Sequence, residues 1–285
     1  MDRSLIAGTQ VTPPAQGDDV FQVAALQMVS SASVQDNLIQ AGLLIAQAAS
    51  LGARLVALPE YFAIMGLQDT DKVAVREKEG EGPIQAFLSA AAKLHGIWIV
   101  GGSVPLMCKD PGRVRNSCLV FDHRGEQVAR YDKIHLFGFQ MGEEQYHEAR
   151  TIEPGNQLVT LQTPFGCLGL SICYDLRFPE LYRSMQGVDI ILVPAAFTAT
   201  TGRAHWETLL RARAIENLAY LIAPAQGGLH QNGRQTHGDS MVIDPWGVVV
   251  NRLATGQGVV MARIDLAHSR ALRANLPALS HRILK

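Results

Sequence analysis

Short apolar runs of strand length recur along the chain and alternate with helix-like segments, and this alternation restricts the fold most. Runs of about four to eight apolar residues between turn signals are typical of strands buried on both faces of a sheet. Their alternation with amphipathic segments predicts a mixed α/β architecture in which helices cover sheet faces. The predicted strands are residues 21–28, 55–58, 97–100, 114–121, 127–131, 166–173, 190–193, 219–223, 240–243, 248–253 and 258–264.

Helices are predicted between several of these strands. Ser33 followed by Asp36 has the pattern of a helix N-terminal cap, and Pro83 suits the first turn of a helix. The segment 137–153 is polar and only weakly periodic, which predicts a long loop of the kind that is functional or mobile. The predicted helices span residues 34–51, 83–95, a segment from about 179, and 205–217.

The pattern predicts one domain behind a flexible N-terminal tail. Residues 1–20 hold Pro13, Pro14 and Gly17 but no sustained apolar core, so they are interpreted as a tail without a secretory signal. No repeat or linker follows, which predicts a single domain over residues 21–285. Because the longest apolar stretches have only strand length, no membrane span is expected and a cytoplasmic location is predicted.

Charge and cysteine content argue against several classes of protein. The chain has 25 Lys and Arg against 26 Asp and Glu, and its net charge is −1. This balance provides no basic surface for a nucleic acid or an anionic membrane. The four cysteines lack paired CxxC spacing, so neither a zinc site nor a disulfide framework is expected. Each cysteine is either a small packing residue or a reactive thiol.

Three reactive side chains stand at the ends of predicted strands. Glu60, Lys133 and Cys173 each end or follow one, and ligands of open α/β sheets gather at the carboxyl ends of strands. A glutamate can take the proton of an attacking thiol, and a lysine can stabilise the oxyanion that forms. A backbone N–H in the turn after Cys173 would face the same oxyanion. The alternative for each residue taken singly is more frequent in proteins: Cys173 would be a packing residue, and Glu60 and Lys133 would be solvated charges.

The segments around these residues resemble the nitrilase superfamily of carbon–nitrogen hydrolases. Similarity extends over about residues 21–282, and three linked motifs are far more specific than any one of them. The segments occur in the family's order and read LPEY at 58–61, YDKIHL at 131–136, GLSICYDLRFPE at 169–180, GRAHWE at 202–207 and DPWG at 244–247.

The resemblance implies a four-layer α-β-β-α sandwich and a role for each catalytic residue. Glu60 corresponds to the general base and acid, Lys133 to the oxyanion stabiliser and Cys173 to the nucleophile. The family often has a second glutamate, for which Glu148 aligns best and Glu143 and Glu144 are close rivals. The resemblance further implies no metal or organic cofactor, and a homodimer or a higher homo-oligomer.

Two further segments, RARAIEN at 211–217 and AQGG at 225–228, look most like the branch of deaminated glutathione amidases, with the omega-amidases as neighbours. The implied function is hydrolysis of the amide of a small carboxylate-bearing substrate, such as deaminated glutathione, to acid and ammonia through a cysteine thioester. The alternatives are an omega-amidase acting on α-ketoglutaramate-like substrates, an N-carbamoyl or nitrile hydrolase, and a catalytically silent interaction protein on the same fold.

The resemblance also implies residues that line the substrate pocket. Tyr174, Phe197 and Thr198 are the candidates for substrate binding. A carboxylate-bearing substrate requires a cationic partner, and arginine can bind a carboxylate bidentately. The candidates for this contact are Arg177, Arg203, Arg211 and Arg213. The alternative is that they are surface charges, as arginines on a helix more often are.

Overall fold

The computed structural model describes residues 19–142 and 144–283, in which two stacked β-sheets lie between layers of helices. The tail predicted over residues 1–20 lies almost wholly outside the described residues. The strands in chain order are β1 (Val20–Gln27), β2 (Ala53–Ala57), β3 (Trp98–Val100), β4 (Val104–Met107), β5 (Val114–Phe121), β6 (Gln127–Asp132), β7 (Gly138–Met141), β8 (Glu144–His147), β9 (Thr160–Thr163), β10 (Gly166–Leu170), β11 (Ile190–Leu192), β12 (Tyr220–Ala223), β13 (Ser240–Ile243), β14 (Val249–Leu253) and β15 (Gly258–Asp265).

Each large sheet contains three neighbouring parallel strands. The first sheet has the order β15-β1-β2-β3-β5-β4, with β6 also paired to β5, and β1, β2 and β3 run parallel. The second has the order β14-β13-β12-β11-β10-β9, with β10, β11 and β12 parallel. Strands β7 and β8 form a separate antiparallel hairpin. In parallel strands the carboxyl ends share one edge, which is where α/β sheets bind ligands.

The strands are apolar on both faces because both faces are covered. Along β1, Val23 and Ala25 point into the core between the sheets, whereas Ala24 and Leu26 point to the helices on the outer side. This period of two is the ordinary consequence of strand geometry. The sheets contact each other through β1 and β15 of the first sheet and β12, β13 and β14 of the second. The result is the α-β-β-α sandwich that the family resemblance implies.

The helices form the outer layers, and their ends carry the expected capping signals. Helices α1 (Val34–Ser50) and α3 (Pro83–His95) cover the first sheet, and α4 (Pro179–Ser184) and α5 (Ala199–Asn217) cover the second. The Ser33 side chain accepts a hydrogen bond of 3.2 Å from the N–H of Asp36, which confirms the predicted cap. Two shorter helices complete the set, α2 (Asp71–Ala74) and α6 (Leu266–Asn275).

Several local predictions differ from the structure. Helix α5 begins at Ala199 rather than at residue 205, because Thr198 caps it by accepting from the N–H of Thr201. Strand β10 ends at Leu170, so Cys173 begins a 3-10 turn instead of closing the strand. The loop predicted over 137–153 contains the β7–β8 hairpin and a second 3-10 turn, Glu148–Arg150. Its strands are too polar for alternation to reveal them.

Candidate active site

Glu60 follows β2 and is buried at the edge where the parallel strands end. Its Oε1 accepts hydrogen bonds from Asn116 Nδ2 at 2.9 Å and from Lys133 Nζ at 2.8 Å. Its other carboxylate oxygen, Oε2, is buried and has no hydrogen-bond partner among the residues that the structure describes. Burial raises the pKa of Glu60, and the attraction of Lys133 and a contact with the Cys173 thiol offset this only in part. The carboxylate therefore combines one fixed oxygen with one that is free to accept a proton.

Lys133 follows β6 and places its ammonium between two carboxylates. Its Nζ lies 2.8 Å from Glu60 Oε1 and 3.0 and 2.8 Å from the two oxygens of Glu148. The side chain is fully buried. Burial alone would lower its pKa, but the charges of Glu148 and Glu60 outweigh this effect and raise it. Lys133 is therefore a permanent, buried positive charge.

Glu148 begins the 3-10 turn that follows the β7–β8 hairpin. Besides Lys133, its carboxylate accepts the hydroxyl of Tyr61 at 2.8 Å and the backbone N–H of Phe137 at 2.8 Å. Burial tends to raise its pKa, but Lys133 and these donors lower it overall. Of its rivals, Glu144 instead accepts a hydrogen bond from Thr200 at 2.8 Å, and Glu143 lies outside the described residues.

Cys173 sits at a sharp turn between β10 and α4. Its φ of 51° lies in the left-handed region that side chains seldom adopt, so the surrounding structure must hold it there. Its own N–H donates to Pro194 O at 2.9 Å. The N–H of Tyr174, at the second position of the 3-10 turn, belongs to the groups that a helix start leaves without an intrahelical partner. Burial and the nearby Glu60 charge raise the pKa of the thiol well above its usual range.

Asp175 connects the cysteine turn to the lysine segment. Its carboxylate accepts the N–H of Ile172 at 2.9 Å and the hydroxyl of Tyr131 at 2.7 Å. It also accepts the N–H of His135 at 3.0 Å, and the His135 ring nitrogen Nδ1 lies 2.7 Å from it. One buried carboxylate thus connects the turn that carries Cys173 to Tyr131 and His135, the residues that flank Lys133 at a distance of two positions.

A cavity of about 350 Å³ opens beside Glu148 and adjoins a small recess that contains Cys173. The walls of the cavity include Tyr61, Met65, Lys72, Tyr146, Glu148 and Arg234. The recess is lined by residues that include Cys173, Tyr174, Arg177, Phe197, Thr198 and Arg234. The three predicted substrate-binding residues, Tyr174, Phe197 and Thr198, therefore stand around the thiol. Thr198 also caps α5 with its hydroxyl, so this atom has a structural partner already.

The four candidate arginines are placed very differently. Arg177 lines the recess, with its guanidinium above the rings of Tyr174 and Phe197, 5.7 and 5.4 Å from their centroids. Arg213 is buried and donates to Leu176 O, as a structural residue would. The other two are exposed on α5, where Arg211 donates to Gly247 O at 2.8 Å. These three do not line the cavity or the recess within the described residues, so of the four candidates only Arg177 stands beside Cys173.

Several residues of the site were not identified from the sequence. Tyr61 and Asp175 lie inside the matching motifs, directly beside Glu60 and Cys173, and that adjacency was the available signal. Asn116 lies within an apolar strand, and Arg234 lies in a Gly-rich loop, so neither has a local pattern that marks it. Among residues 19–142 and 144–283, no cluster of His, Cys, Asp or Glu is arranged to hold a metal ion. No helix in that part of the chain is long and apolar enough to cross a membrane.

Comparison with known proteins identifies a family and several similar proteins. Residues 22–274 match the family model described as carbon-nitrogen hydrolase. A deaminated glutathione amidase of Synechocystis sp. is 42% identical over 269 residues, which cover 92% of this chain and 98% of the relative. A protein of the same name from Yersinia enterocolitica is 40% identical over 264 residues, covering 91% and 92%.

A solved structure is similar over most of the chain. The crystal structure of the C. elegans NitFhit protein superposes with a TM-score of 0.86 at 37% sequence identity. The match covers 95% of this chain and 66% of that protein, so the chain spans just under two thirds of its length.

Proposed function

Because this chain belongs to the carbon–nitrogen hydrolase family and is an amidase, we propose that it cleaves its substrate through a thioester on Cys173. The observation that carries this proposal is the buried junction in which Lys133 bonds to both Glu60 and Glu148 beside the strained Cys173 turn. A structural cluster has no need for a thiol in a left-handed conformation next to a free carboxylate oxygen.

In the first step, Glu60 accepts the thiol proton as the sulfur attacks the amide carbon. The raised pKa of Cys173 keeps the thiol protonated at neutral pH, so attack requires a base. Glu60 Oε2 is the buried acceptor that lacks a partner. Because the pKa of Glu60 is also raised, it lies nearer to the pKa of the thiol, which favours proton transfer between the two groups in both directions. Glu60 then returns the proton to the departing nitrogen as the C–N bond breaks.

Lys133 and the N–H of Tyr174 stabilise the oxyanion of the tetrahedral intermediate. The ammonium is fixed by its two carboxylates before the substrate arrives, so little reorganisation accompanies the reaction. One such donor is typically worth about 3–4 kcal/mol in the transition state. We assign Glu148 the role of holding Lys133 in place, since Tyr61 and Phe137 in turn hold Glu148.

In the second step, water attacks the thioester. Glu60 takes a proton from this water, the carbon–sulfur bond breaks, and the carboxylic acid leaves while the thiol regains its proton.

The sequence predicts ammonia as the other product. Ammonia is released only from a primary amide. The amides of the tripeptide glutathione are secondary, so cleavage of deaminated glutathione releases an amine instead. The relatives named deaminated glutathione amidase favour this substrate class.

Replacement of the nucleophile tests the proposal. Cys173→Ala should abolish turnover, and intact-mass spectrometry of the unmodified chain with a slow amide should detect an acyl adduct on Cys173. Cys118, a fully buried thiol on β5, offers the matched control. Cys118→Ala should keep both turnover and the adduct. Full activity of Cys173→Ala would overturn the proposed mechanism.

A substrate panel distinguishes the alternatives. It contains deaminated glutathione, α-ketoglutaramate, an N-carbamoyl amino acid and a nitrile, with acid and amine or ammonia release as the readout. We expect the highest kcat/KM on deaminated glutathione. A higher value on α-ketoglutaramate would make the chain an omega-amidase, and a comparable rate on the nitrile or the carbamoyl compound would contradict the substrate class. Inertness toward all four, with an unreactive thiol, would favour an interaction protein.

We further propose that the chain is a cytoplasmic homodimer or a higher homo-oligomer, which rests on the family resemblance. Light scattering on the purified protein measures the mass of the assembly. A mass of 30.9 kDa, that of one chain, would contradict the proposed oligomer. Fractionation of the source cells would contradict the location by finding the protein outside the cytoplasm.

A further inference from the structure

Two buried side-chain polar atoms among the described residues lack a hydrogen-bond partner, and both belong to this site. They are Glu60 Oε2 and Arg234 Nε. An unpaired buried donor is costly, and each such atom in a native structure requires an explanation. The thiol proton of Cys173 explains Glu60 Oε2 in the mechanism above. The reaction steps do not use Arg234, so its free donor points to a group that arrives with a ligand.

Arg234 lies where the cavity and the recess meet. It lines both, and its Nη2 donates to Ala196 O at 2.6 Å, while its guanidinium lies 4.9 Å from the centroid of the Tyr146 ring. These two contacts hold the planar group in place. The guanidinium lines the same recess as Cys173, and Tyr146, Tyr61 and Glu60 lie close enough to raise its pKa. Its free Nε donor is therefore held in a fixed place near the reacting thiol.

Three other cations at the site contact protein groups. Lys72 bonds to the backbone oxygen of Asp69 at 2.8 Å and to the Thr151 hydroxyl at 3.2 Å, with the Asp69 carboxylate 3.7 Å away. Lys133 is bound by its two glutamates. Arg177 lies above two aromatic rings and contacts the His205 ring at 3.2 Å. Among the described residues, Arg234 is distinguished from these three by its buried Nε donor, which has no hydrogen-bond partner.

The charge of Arg234 also favours an anion. Burial alone would lower its pKa, but the acidic groups around it more than compensate, so the pKa is raised and the guanidinium stays charged. Guanidinium groups bind carboxylates strongly because their planar donors match the carboxylate oxygens. A neutral carbonyl would accept the same hydrogen bond but leave the charge without a partner.

We propose that Arg234 binds a carboxylate at the far end of the substrate's acyl chain and so selects amides of dicarboxylic acids over neutral amides. This inference rests on the proposed function, and it adds the residue that recognises the acid. The acyl chain is the part that stays attached to Cys173 in the thioester, and Arg234 is a cation that lines both that recess and the cavity.

The test compares a charged substrate with a neutral counterpart. The probes are the monoamide of glutaric acid and the methyl ester of that monoamide, measured with the full chain, Arg234→Gln and Arg234→Lys. In Arg234→Gln we expect kcat/KM for the acid to fall about 10- to 150-fold, from the usual strength of hydrogen bonds to charged groups, while the ester changes less than about threefold. Arg234→Lys should recover part of the loss. Arg211→Gln, on the exposed side of α5, is the matched control and should change neither.

Equal losses on both probes would overturn the inference and make Arg234 a structural residue. A second measurement separates this result from failure of the proposed function. Glutarate binding to Cys173→Ala and to Cys173→Ala/Arg234→Gln, measured by calorimetry, needs no catalysis. We expect Kd to rise by a similar factor with the second change. An unchanged Kd in a folded double variant would overturn the inference even if the amidase activity is established.

Discussion

At the residue scale, three buried charged groups contact one another at the site. Lys133 lies between Glu60 and Glu148, and each of these carboxylates has a further neutral donor, Asn116 for one and Tyr61 for the other. The two pKa values diverge because burial dominates at Glu60, whereas Lys133 and the other donors dominate at Glu148. Two chemically identical side chains thus become a proton acceptor and a fixed counter-charge.

Asn116 provides a test of this division. Its hydrogen bond stabilises the charged form of Glu60, so Asn116→Ala should raise the pKa of Glu60 further. Because Glu60 must be deprotonated to act, activity is lost as pH falls through that pKa. We expect the acid limb of the kcat/KM–pH profile to move up by roughly one pH unit, which is the usual worth of such a bond.

Asn217 is the matched control, since it is equally buried and donates only to Arg213 O on α5. Asn217→Ala should lower the free energy of unfolding but leave the acid limb in place. An acid limb that stays fixed in Asn116→Ala would show that Asn116 does not tune Glu60.

At the scale of elements, the site is assembled from the ends of neighbouring strands. The turn after β3 packs against the segment after β2, where Ser103 Oγ accepts the N–H of Tyr61 at 2.9 Å. Gly102 in this turn has φ of 54°, and a Cβ atom there would overlap the carbonyl oxygens of Leu58 and Pro59. Only glycine allows the two strand ends to approach this closely.

Gly102→Ala should therefore disturb the segment that carries Glu60. We expect a loss of about 2–4 kcal/mol in the free energy of unfolding, from overlap and an unfavourable φ together, and a fall in kcat/KM of more than about tenfold. Denaturant titration and steady-state kinetics measure the two effects.

Gly52, at the end of α1, separates conformational strain from overlap. Its φ is 88°, but nothing lies within 4 Å of its Cβ position. Gly52→Ala should cost about 1–2 kcal/mol of stability and leave kcat/KM unchanged. Equal kinetic losses in the two variants would contradict the argument that Gly102 positions Glu60.

At the scale of the whole molecule, one core joins the two sheets. Leu55 of β2 and Val23 of β1 belong to the same buried cluster as Leu168 and Ile191 of the second sheet. We therefore propose that residues 21–285 behave as a single domain. Because the inner face of each sheet is covered by the other, neither sheet can lose its partner without exposing apolar surface.

Calorimetry tests this proposal. We expect one unfolding transition, with equal calorimetric and van't Hoff enthalpies per cooperative unit. Leu55→Ala, which removes apolar contacts between the sheets, should lower the free energy of unfolding by about 2–5 kcal/mol without splitting the transition. Two separate transitions in either protein would contradict a single domain.

Much of the fold could be predicted because its strands carry their own signal. Strands β5 and β13 and helix α3 were predicted with the bounds that the structure has. The sequence missed β4, β9 and α6, and it missed the polar β7–β8 hairpin. Strand β4 contains Pro105, which is atypical of a strand, and β9 is short and polar. Such segments become strands because a neighbouring strand supplies their hydrogen bonds, which no local pattern records.

The residues of the site also divide into those that the sequence could predict and those that only the structure could show. The sequence alone determined the nucleophile, base and lysine as candidates, because Glu60, Lys133 and Cys173 lie in motifs with their own local composition. Only the tertiary structure decided that Glu148, and not Glu144, meets Lys133, that Asn116 holds Glu60, and that Arg234 has a buried Nε donor without a partner among the described residues. These facts depend on distances between segments far apart in the chain. Local propensity fixes an element, but only packing fixes which side chains share a buried space.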